Sequence, residues 1–427
     1  MSAEIAVMNK YAIALAADSA QTAFRSTGAK KDLKINNSAN KLFMLSKCHP
    51  VGIMQCGNAQ FMKIPWETII KMYRSRLDKK KFKKLKDYSD DFINFLNTSK
   101  SIFKGAEETC INSTISFYLG FIKQQISKET TAISGDDLKK KAEIKRIVAE
   151  IVGSHYEQWE KESFIKTAGK EDLSHFIDLH GALVNNALKE TFEEYHLDNK
   201  ILTQLRTICA SLFFKEDFSP SDSEIIIAGF GEDEVFPSLQ QFKLECLIDG
   251  KLKYKEVGKQ IVDFENEAVI ARFAQGDMVH LFMEGIDWKL DKLSNDYLAE
   301  VFKTLPGVFI DPFKFKSEAD KKKILDQALK LSMDTFEKYK NKMLDYRWEE
   351  FGKPVVDTVA CLPKAELASV AEALVSLTSF RKKVTMVEET VGGPIDVAVI
   401  SKGDGFVWIK RKHYFTPELN PHFFARE

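Results

Sequence analysis

SAEIAV at residues 2–7 and AIALAADS at residues 12–19 are two short apolar stretches from which the architecture of the chain can be predicted. They contain or overlap two mostly apolar runs, residues 4–8 and 12–17, each followed by a polar residue, and this pattern is typical of buried β-strands. Asn9, Lys10 and Tyr11 separate the two runs, and so short a connection favours a tight turn. The start of the chain is therefore predicted to be an antiparallel β-hairpin.

Further strand patterns lie on both sides of the middle of the chain. Residues 41–45 and 51–56 predict a second antiparallel hairpin, with Cys48, His49 and Pro50 between its strands. More strands are predicted at 225–228, 239–248, 269–273, 395–400 and 406–409. The last two flank a Lys-Gly-Asp-Gly turn and predict a final hairpin.

Helical periodicity fills the stretches between these strands. Apolar residues from Phe61 to Tyr73 recur at helical spacing and predict a helix that begins near the end of the strand at 51–56. Residues 78–222 keep this pattern almost throughout and predict an inserted helical domain. Further helices are predicted at 278–302, 317–346 and 363–382.

This segregation of strands and helices predicts an α+β layered architecture and not a doubly wound sheet. The predicted core comprises residues 1–77 and 223–427, and residues 78–222 are the insertion. Within the core, residues 300–360 are expected to form a second helical elaboration.

The composition limits the functions open to this chain. Its 62 Lys and Arg residues balance 62 Asp and Glu residues, so the overall charge favours neither nucleic acid nor an anionic membrane as a partner. The six cysteines lack CxxC spacing, and the start of the chain lacks a secretory signal pattern. Its apolar runs fall short of the roughly 18 residues that a membrane span needs. Together these features predict a cytoplasmic, reduced protein.

The opening residues resemble the start of a mature proteasome β-subunit, a member of the N-terminal-nucleophile (Ntn) hydrolase superfamily that includes related bacterial peptidases. In that family the nucleophile opens the first strand, and the second strand ends in Ala-Ala-Asp-Ser, as it does at residues 16–19. Placing Asp18 on the family's aspartate puts Ser2 on its N-terminal threonine without a gap. The resemblance covers residues 2–75 and 224–410 apart from insertions, and it implies a four-layer αββα sandwich.

The same resemblance implies the principal catalytic residues. Lys41 matches the family lysine at the start of the third strand, provided that the preceding loop is longer here. Gly57 matches the turn glycine whose N–H contributes to the oxyanion hole. Removal of Met1 alone would expose Ser2, and a residue as small as serine at the second position normally permits that removal.

These residue types suit the hydrolysis of amide bonds. The α-amine of an N-terminal serine can serve as general base because its ordinary pKa is about 7.7 to 8.0. The Lys41 ammonium would favour a deprotonated neighbour, Asp18 would hold Lys41, and the Gly57 N–H would stabilise charge on the substrate carbonyl oxygen. The sequence thus predicts an N-terminal-serine amide hydrolase, most simply a peptidase, that uses no cofactor and no metal.

The C-terminal half matches the family less closely. Gly392 matches the Ser-Gly-Gly turn that follows the last long helix. Alignment on this glycine puts the family's aspartate on Glu388 and its serine on Val391, unless Thr390 supplies the hydroxyl after a one-residue shift. Gln275 occupies the place of another supporting serine. Gln275, Glu388, Thr390 and Gly392 are therefore the supporting site candidates.

Two other functions remain open on the sequence. The polar residues replaced at Gln275, Glu388 and Val391 suit a catalytically inactive scaffold whose helical insertion binds a protein partner. A non-proteolytic amidase on the same fold is the other alternative. The resemblance implies a peptide or protein substrate, assembly of the chain into homo-oligomeric rings, and gating by an ATP-dependent unfoldase.

Two weaker motifs indicate other functions. Ser38 and Lys41 have the SxxK spacing of penicillin-recognising enzymes, but the segment reads as a loop that enters a strand. Cys48, His49 and Cys56 could approach a zinc ion, although such residues beside a hairpin are more often core thiols and a turn histidine.

Overall fold

The computed structural model of the chain describes residues 3–27, 30–131, 137–195, 197–220, 222–274, 276–385 and 391–424. Its antiparallel sheets and long helices make an α+β protein, which confirms the predicted fold class. The chain divides into two compact units. Unit 1 contains residues 1–42, 235–238 and 260–427, and unit 2 contains residues 43–234 and 239–259.

The strands, in chain order, are β1 (Ala3–Asn9), β2 (Ile13–Ala17), β3 (Gln21–Thr27), β4 (Lys30–Asn36), β5 (Leu42–Met44), β6 (Val51–Gly57), β7 (Gln60–Phe61), β8 (Ile64–Pro65), β9 (Ser223–Gly229), β10 (Ser238–Ile248), β11 (Lys251–Ile261), β12 (Ala268–Ala274), β13 (Asp396–Ser401) and β14 (Gly405–Lys410).

The helices are α1 (Trp66–Leu77), α2 (Leu85–Thr98), α3 (Lys100–Phe103), α4 (Glu107–Thr130), α5 (Asp137–Lys161), α6 (Lys170–Phe192), α7 (Asn199–Phe214), α8 (Asp277–Glu284), α9 (Trp288–Ile310), α10 (Glu318–Arg347), α11 (Lys353–Cys361), α12 (Lys364–Val384) and α13 (Pro421–Phe424). A π-helical turn over Trp348–Gly352 joins α10 to α11. Within the described ranges, none of the helices combines the length and apolar character needed to cross a membrane.

Unit 1 is built on a five-stranded antiparallel sheet in the order β12-β1-β2-β13-β14. Its strands include two of the three predicted hairpins, β1 with β2 and β13 with β14, and each pairs as expected. The register places Glu4 of β1 opposite Ala17 of β2 and Phe273 of β12. The residue after β2, Asp18, therefore lies beside the first described residue of β1.

One face of this sheet packs against helices α11 and α12. Alternate residues of β1, namely Ala3, Ile5 and Val7, join a buried apolar cluster with Leu367 and Ala371 of α12. Ala14 and Ala16 of β2 belong to the same cluster, and short side chains let a helix approach a sheet closely. Because side chains alternate along a strand, Glu4 lies on the opposite face of β1.

Unit 2 holds nearly all of the second sheet, which has the strand order β11-β10-β9-β6-β5. Strand β6 pairs with β9 in antiparallel register. The two-residue turn between β10 and β11 consists of Asp249 and Gly250, both with positive φ, at 50° and 73°. Asp-Gly in this conformation is the preferred turn for a tight hairpin because its twist matches that of the strands.

The helices of unit 2 share one hydrophobic cluster with its sheet. Trp66 and Tyr73 of α1, Phe92 of α2 and Ile115 of α4 are buried in this cluster with Ile227 of β9. Helices α2 to α7 fall within the stretch expected to form a helical insertion at 78–222. In the structure they and the sheet of unit 2 belong to one compact unit with a common core.

Three local expectations were wrong or incomplete. The first helix begins at Trp66 and not at the end of β6, because the short strands β7 and β8 intervene. The stretch expected to be a loop before Lys41 contains the antiparallel pair β3 and β4. Strand β11 was not predicted because its sequence, KLKYKEVGKQI, carries charged residues at many positions.

Asn9 fixes the turn between β1 and β2 to the end of helix α11. Its fully buried side-chain amide donates hydrogen bonds of 2.9 Å to the carbonyl oxygens of Val359 and Leu362. Its side-chain oxygen accepts the backbone N–H groups of Tyr11 and Ala12. All of these backbone groups would lose a partner if the amide were removed.

We therefore expect Asn9→Ala to lower the free energy of unfolding by about 2 to 4 kcal/mol, because buried polar groups are left without partners. Urea unfolding measures the change. The matched control Asn341→Ala, at an exposed position of α10, should change stability by less than about 0.5 kcal/mol. An Asn9→Ala protein as stable as the control would contradict this account of the turn.

A hydrogen-bonded chain of side chains crosses helices α4 and α5. The Trp159 indole N–H donates to the Tyr118 hydroxyl at 2.7 Å, and that hydroxyl lies 3.0 Å from Nδ1 of His155. Nε2 of His155 lies 2.8 Å from the side-chain oxygen of Gln125. Because that oxygen is an acceptor, Nε2 carries the proton and Nδ1 accepts from the tyrosine. Burial lowers the pKa of His155 and keeps the ring neutral.

A histidine whose pKa is lowered by folding contributes stability above its ordinary pKa of about 6.5, and this contribution is lost as the pH falls. The free energy of unfolding should therefore decrease between pH 7.5 and pH 5.5, and His155→Gln should weaken this dependence. Urea unfolding at both pH values tests the expectation. The exposed-site control His175→Gln should keep the wild-type dependence. If the wild type and His155→Gln showed the same pH dependence of stability, His155 would not be its cause.

Candidate active site

The carboxylate of Asp18 is the centre of the candidate site in unit 1. It directly follows β2 and is 1% exposed. Oδ1 accepts the Ala3 backbone N–H at 3.0 Å and the Lys41 ammonium at 2.5 Å. Oδ2 accepts the backbone N–H groups of Ala20 at 3.1 Å and Gly392 at 2.9 Å. A buried carboxylate with this many donors is held in a single position.

The backbone around Asp18 explains how distant parts of the chain converge there. The β1–β2 register brings Asp18 next to Ala3, and the Asp18 N–H donates to the Ala3 carbonyl at 3.2 Å. The Ser19 N–H donates to the carbonyl of Gly392 at 3.1 Å. Strand β13, which pairs with β2, follows Gly392 closely and fixes this segment beside the aspartate.

Steric constraints require glycine at position 393, the second glycine of this segment. Gly393 has φ +77°, and a Cβ at this position would lie 2.9 Å from the carbonyl oxygen of Asn37. The left-handed backbone and the close approach both exclude larger residues. The neighbouring Val391 is fully buried in the apolar cluster of unit 1, so its side chain packs there and supplies no hydrogen bond.

Lys41 and Glu4 complete a buried group of charges around Asp18. Lys41 precedes β5 and is 5% exposed, and Glu4 is fully buried on β1. The Lys41 ammonium lies 2.5 Å from Asp18 and 3.5 Å from Oε1 of Glu4. One ammonium thus lies between two carboxylates in a region with little solvent to screen them. Such an ion pair is strongly coupled, and removal of one partner leaves an uncompensated buried charge.

Four of the residues expected in the site, Ser2, Gln275, Glu388 and Thr390, lie outside the described residues. The structure brings Asp18, Lys41 and Gly392 together, as the preceding distances show. Ser2 is covalently linked to Ala3, whose N–H is bound by Asp18. The described part of the site therefore begins at the residue that follows the expected nucleophile.

Gly57, the expected oxyanion donor, belongs to unit 2. It ends β6 with φ +76°, and a Cβ there would lie 2.6 Å from the carbonyl oxygen of Asp222. The next residue, Asn58, donates its N–H to that same oxygen at 3.0 Å. Glycine is therefore required here by backbone conformation and by space, whatever further role its N–H has.

Sequence reasoning did not single out Glu4. A signal was present, because a glutamate within the otherwise apolar SAEIAV stretch is a charged residue at a buried strand position. Charged residues are rarely fully buried without a partner, and here the partner is Lys41. The periodicity identified the strand but gave no means of assigning that partner.

The structure also bears on the weaker motifs. Residues 38–41 lie outside any helix, so Ser38 and Lys41 do not share the helical turn that the SxxK arrangement uses. His49 contacts the carbonyl oxygen of Lys79 through Nε2 at 3.2 Å. Among the described residues, no cluster of three or more His, Cys, Asp and Glu side chains is placed to hold a metal ion.

Comparison with protein-family models and with curated protein sequences gave no match for this chain.

Replacement of Lys41 by methionine would leave Asp18 and Glu4 buried without their common countercharge. We expect Lys41→Met to lower the free energy of unfolding at neutral pH by about 3 to 5 kcal/mol. Urea unfolding measures the loss, with Lys338→Met on the exposed face of α10 as control. Equal stability of the two variants would contradict a stabilising role for the buried Lys41 ammonium.

Proposed function

We propose that this chain is an N-terminal-nucleophile amide hydrolase related to proteasome β-subunits, most simply a peptidase, with Ser2 as nucleophile after removal of Met1. One observation carries the proposal. The buried Asp18 carboxylate binds both the Lys41 ammonium and the N–H of Ala3, the residue that follows Ser2. The proposed architecture is the αββα sandwich, an arrangement of the α+β class.

Covalent geometry limits how far the α-amine of Ser2 can be from this carboxylate. Three bonds join that amine to the Ala3 nitrogen, so the two nitrogens are at most roughly 4 Å apart. The Ala3 nitrogen in turn lies 3.0 Å from Oδ1 of Asp18. The proposed general base is therefore within roughly 10 Å of the Lys41 ammonium, which shares the same carboxylate oxygen.

The proposed reaction begins when the Ser2 hydroxyl oxygen attacks the carbonyl carbon of an amide substrate. The hydroxyl proton passes to the free α-amine, which then donates it to the departing amine nitrogen as the C–N bond breaks. Water attacks the resulting ester by the same route, with the α-amine as base, and releases the acid and Ser2. Lys41 favours the neutral amine electrostatically, and Asp18 orients Lys41.

The Gly57 N–H is the proposed donor to the substrate oxygen during both steps. A backbone donor aimed at this oxygen stabilises the negative charge that develops in the transition state. Loss of such a donor usually slows catalysis by about 100-fold to 1000-fold. Gly57 can supply an N–H in a backbone conformation that residues with a Cβ adopt poorly.

A second candidate is favoured by one observation. Val391 occupies the position of a family serine, and its side chain is buried among apolar residues. Valine has no hydroxyl to form a hydrogen bond with the α-amine of Ser2, and the loss of this partner suits a scaffold without hydrolytic activity. In that case the helices of unit 2 would bind a protein partner, and Phe117 of α4 and Leu179 of α6 are exposed apolar residues on those helices.

A panel of peptide and small-molecule amide substrates distinguishes these functions. We expect hydrolysis by the wild-type protein, a decrease of at least about 1000-fold in Ser2→Ala, and activity in Ser2→Thr, since threonine supplies an equivalent hydroxyl. The matched control Ser38→Ala, in an exposed loop, should retain wild-type activity.

Undiminished hydrolysis by Ser2→Ala would contradict the proposed nucleophile. Turnover of small amides without cleavage of peptides would identify an amidase. The absence of hydrolysis across the panel would favour the scaffold.

A further inference from the structure

Helices α9 and α10 of unit 1 form an antiparallel hairpin. Asp291 near the start of α9 pairs with Arg347 at the end of α10 at 2.7 Å. At the other end of the hairpin, Asp311 directly after α9 pairs with Lys321 near the start of α10 at 3.0 Å. Residues 311–317 therefore form the tip of the hairpin, and the length of α9, about 35 Å, separates this tip from the other end.

Hydrogen bonds fix the chain at both ends of the tip. The Phe313 N–H donates to the Ile310 carbonyl at 3.1 Å, which turns the chain directly after α9. Ser317 then caps α10, because its side-chain oxygen accepts the Asp320 N–H at 3.1 Å. The tip is thus an ordered turn that presents its side chains in a defined place.

Three large apolar side chains at this end of the hairpin face solvent. Val308 is 66% exposed, Phe309 is 64% exposed and Phe313 is 67% exposed. Exposed apolar residues grouped in this way are typical of surfaces that contact a membrane or another protein. A partner with an apolar region would remove these side chains from water and so lower their free energy.

Lysines surround these apolar residues. Residues 303–323 contain six lysines and three acidic residues, which gives a net charge of plus three in a chain whose overall charge is zero. Lys321 pairs with Asp311. The other five lysines are exposed and make no ion pair with a described residue: Lys303, Lys314, Lys316, Lys322 and Lys323. Residues 288–302 of α9 contain two lysines and three acidic residues, so the positive excess belongs to the tip and not to the whole helix.

We propose that the tip of the α9–α10 hairpin binds anionic lipid surfaces, with Val308, Phe309 and Phe313 entering the interfacial region of the bilayer. Apolar side chains flanked by lysines are typical of interfacial membrane contact. Each lysine near an anionic surface strengthens binding by about five-fold. The zero net charge of the chain gave no indication of such a partner, because it conceals the local excess.

The lysines favour a lipid surface over a second protein. Their long stems can lie along apolar groups while the ammonium stays at the level of the lipid head groups. A fluid surface also lets anionic lipids gather around ammonium groups whose positions are not fixed by ion pairs. This binding does not depend on the hydrolytic activity proposed above, because it uses none of the residues of the candidate active site.

Co-sedimentation of the full-length protein with vesicles tests this proposal. We expect binding to phosphatidylcholine vesicles that contain about 30% phosphatidylserine, and binding at least about 10-fold weaker to phosphatidylcholine alone. Binding to the anionic vesicles should also weaken as the salt concentration rises, since salt screens exposed charges. Equal binding to both kinds of vesicle, or no binding to the anionic vesicles, would overturn the proposal.

A double variant of the tip locates the contact. Phe309→Ser/Phe313→Ser should bind the anionic vesicles at least about 10-fold more weakly, because two apolar side chains no longer leave water. The matched control is Leu293→Ser/Tyr297→Ser, in which both residues are 66% exposed on α9 but lie outside the tip. The control should bind as the wild type does. Equal losses in the two double variants, or wild-type binding by the tip variant, would show that the tip is not the contact.

A second pair of variants tests the contribution of charge. Lys322→Gln/Lys323→Gln should weaken binding to the anionic vesicles by about 10-fold or more. Lys338→Gln/Lys342→Gln removes the same charge from exposed positions farther along α10 and should have no effect. Equal binding by both lysine variants would contradict the role of the tip lysines. Self-association of the wild type that Phe309→Ser/Phe313→Ser abolishes, without binding to vesicles, would identify a second copy of the chain as the partner and overturn the proposal.

Discussion

The organisation of unit 1 depends on the hydrogen bonds and the ion pair that the buried Asp18 carboxylate makes. Its two oxygens bind backbone N–H groups of Ala3, Ala20 and Gly392 and the ammonium of Lys41. These partners come from the start of β1, the segment between β2 and β3, the segment before β13 and the residue before β5. A group so placed can be stable only when all of its donors are present, because burial of an unpaired carboxylate is very costly.

The same constraint connects the fold to the proposed chemistry. One face of β1 supplies apolar residues to the packing against α12, which fixes the strand. The other face bears Glu4, whose carboxylate is held near Lys41. Packing on one side thus positions charge on the other, and the start of β1 lies beside a buried group of charges.

Much of the sheet structure could be predicted from the sequence, because most residues of β1, β2, β6 and β9 are apolar and the turn between β1 and β2 is short. Other elements carry weaker signals. Strand β11 has charged residues along much of its length, and β7 and β8 are only two residues each. Short or polar strands form because a neighbouring strand pairs with them, and this contribution is invisible in a local pattern.

The residues of the candidate site likewise include some that the sequence indicated and one that it did not. The contact between Asp18 and Gly392 joins residues 374 apart, and periodicity alone could not have predicted it. The resemblance to proteasome β-subunits indicated both residues and Lys41. It did not indicate Glu4, because the contact of this side chain with Lys41 is not among the motifs that carry the resemblance.

The central claim is that the described charges serve a nucleophile at Ser2, and the most direct measurement is the location of a covalent adduct. The purified protein would be treated with a β-lactone that acylates N-terminal serine or threonine, and its intact mass and N-terminal peptide determined. The account predicts loss of Met1 and a single adduct on Ser2. Retention of Met1, or a processed Ser2 that remains unmodified, would contradict it.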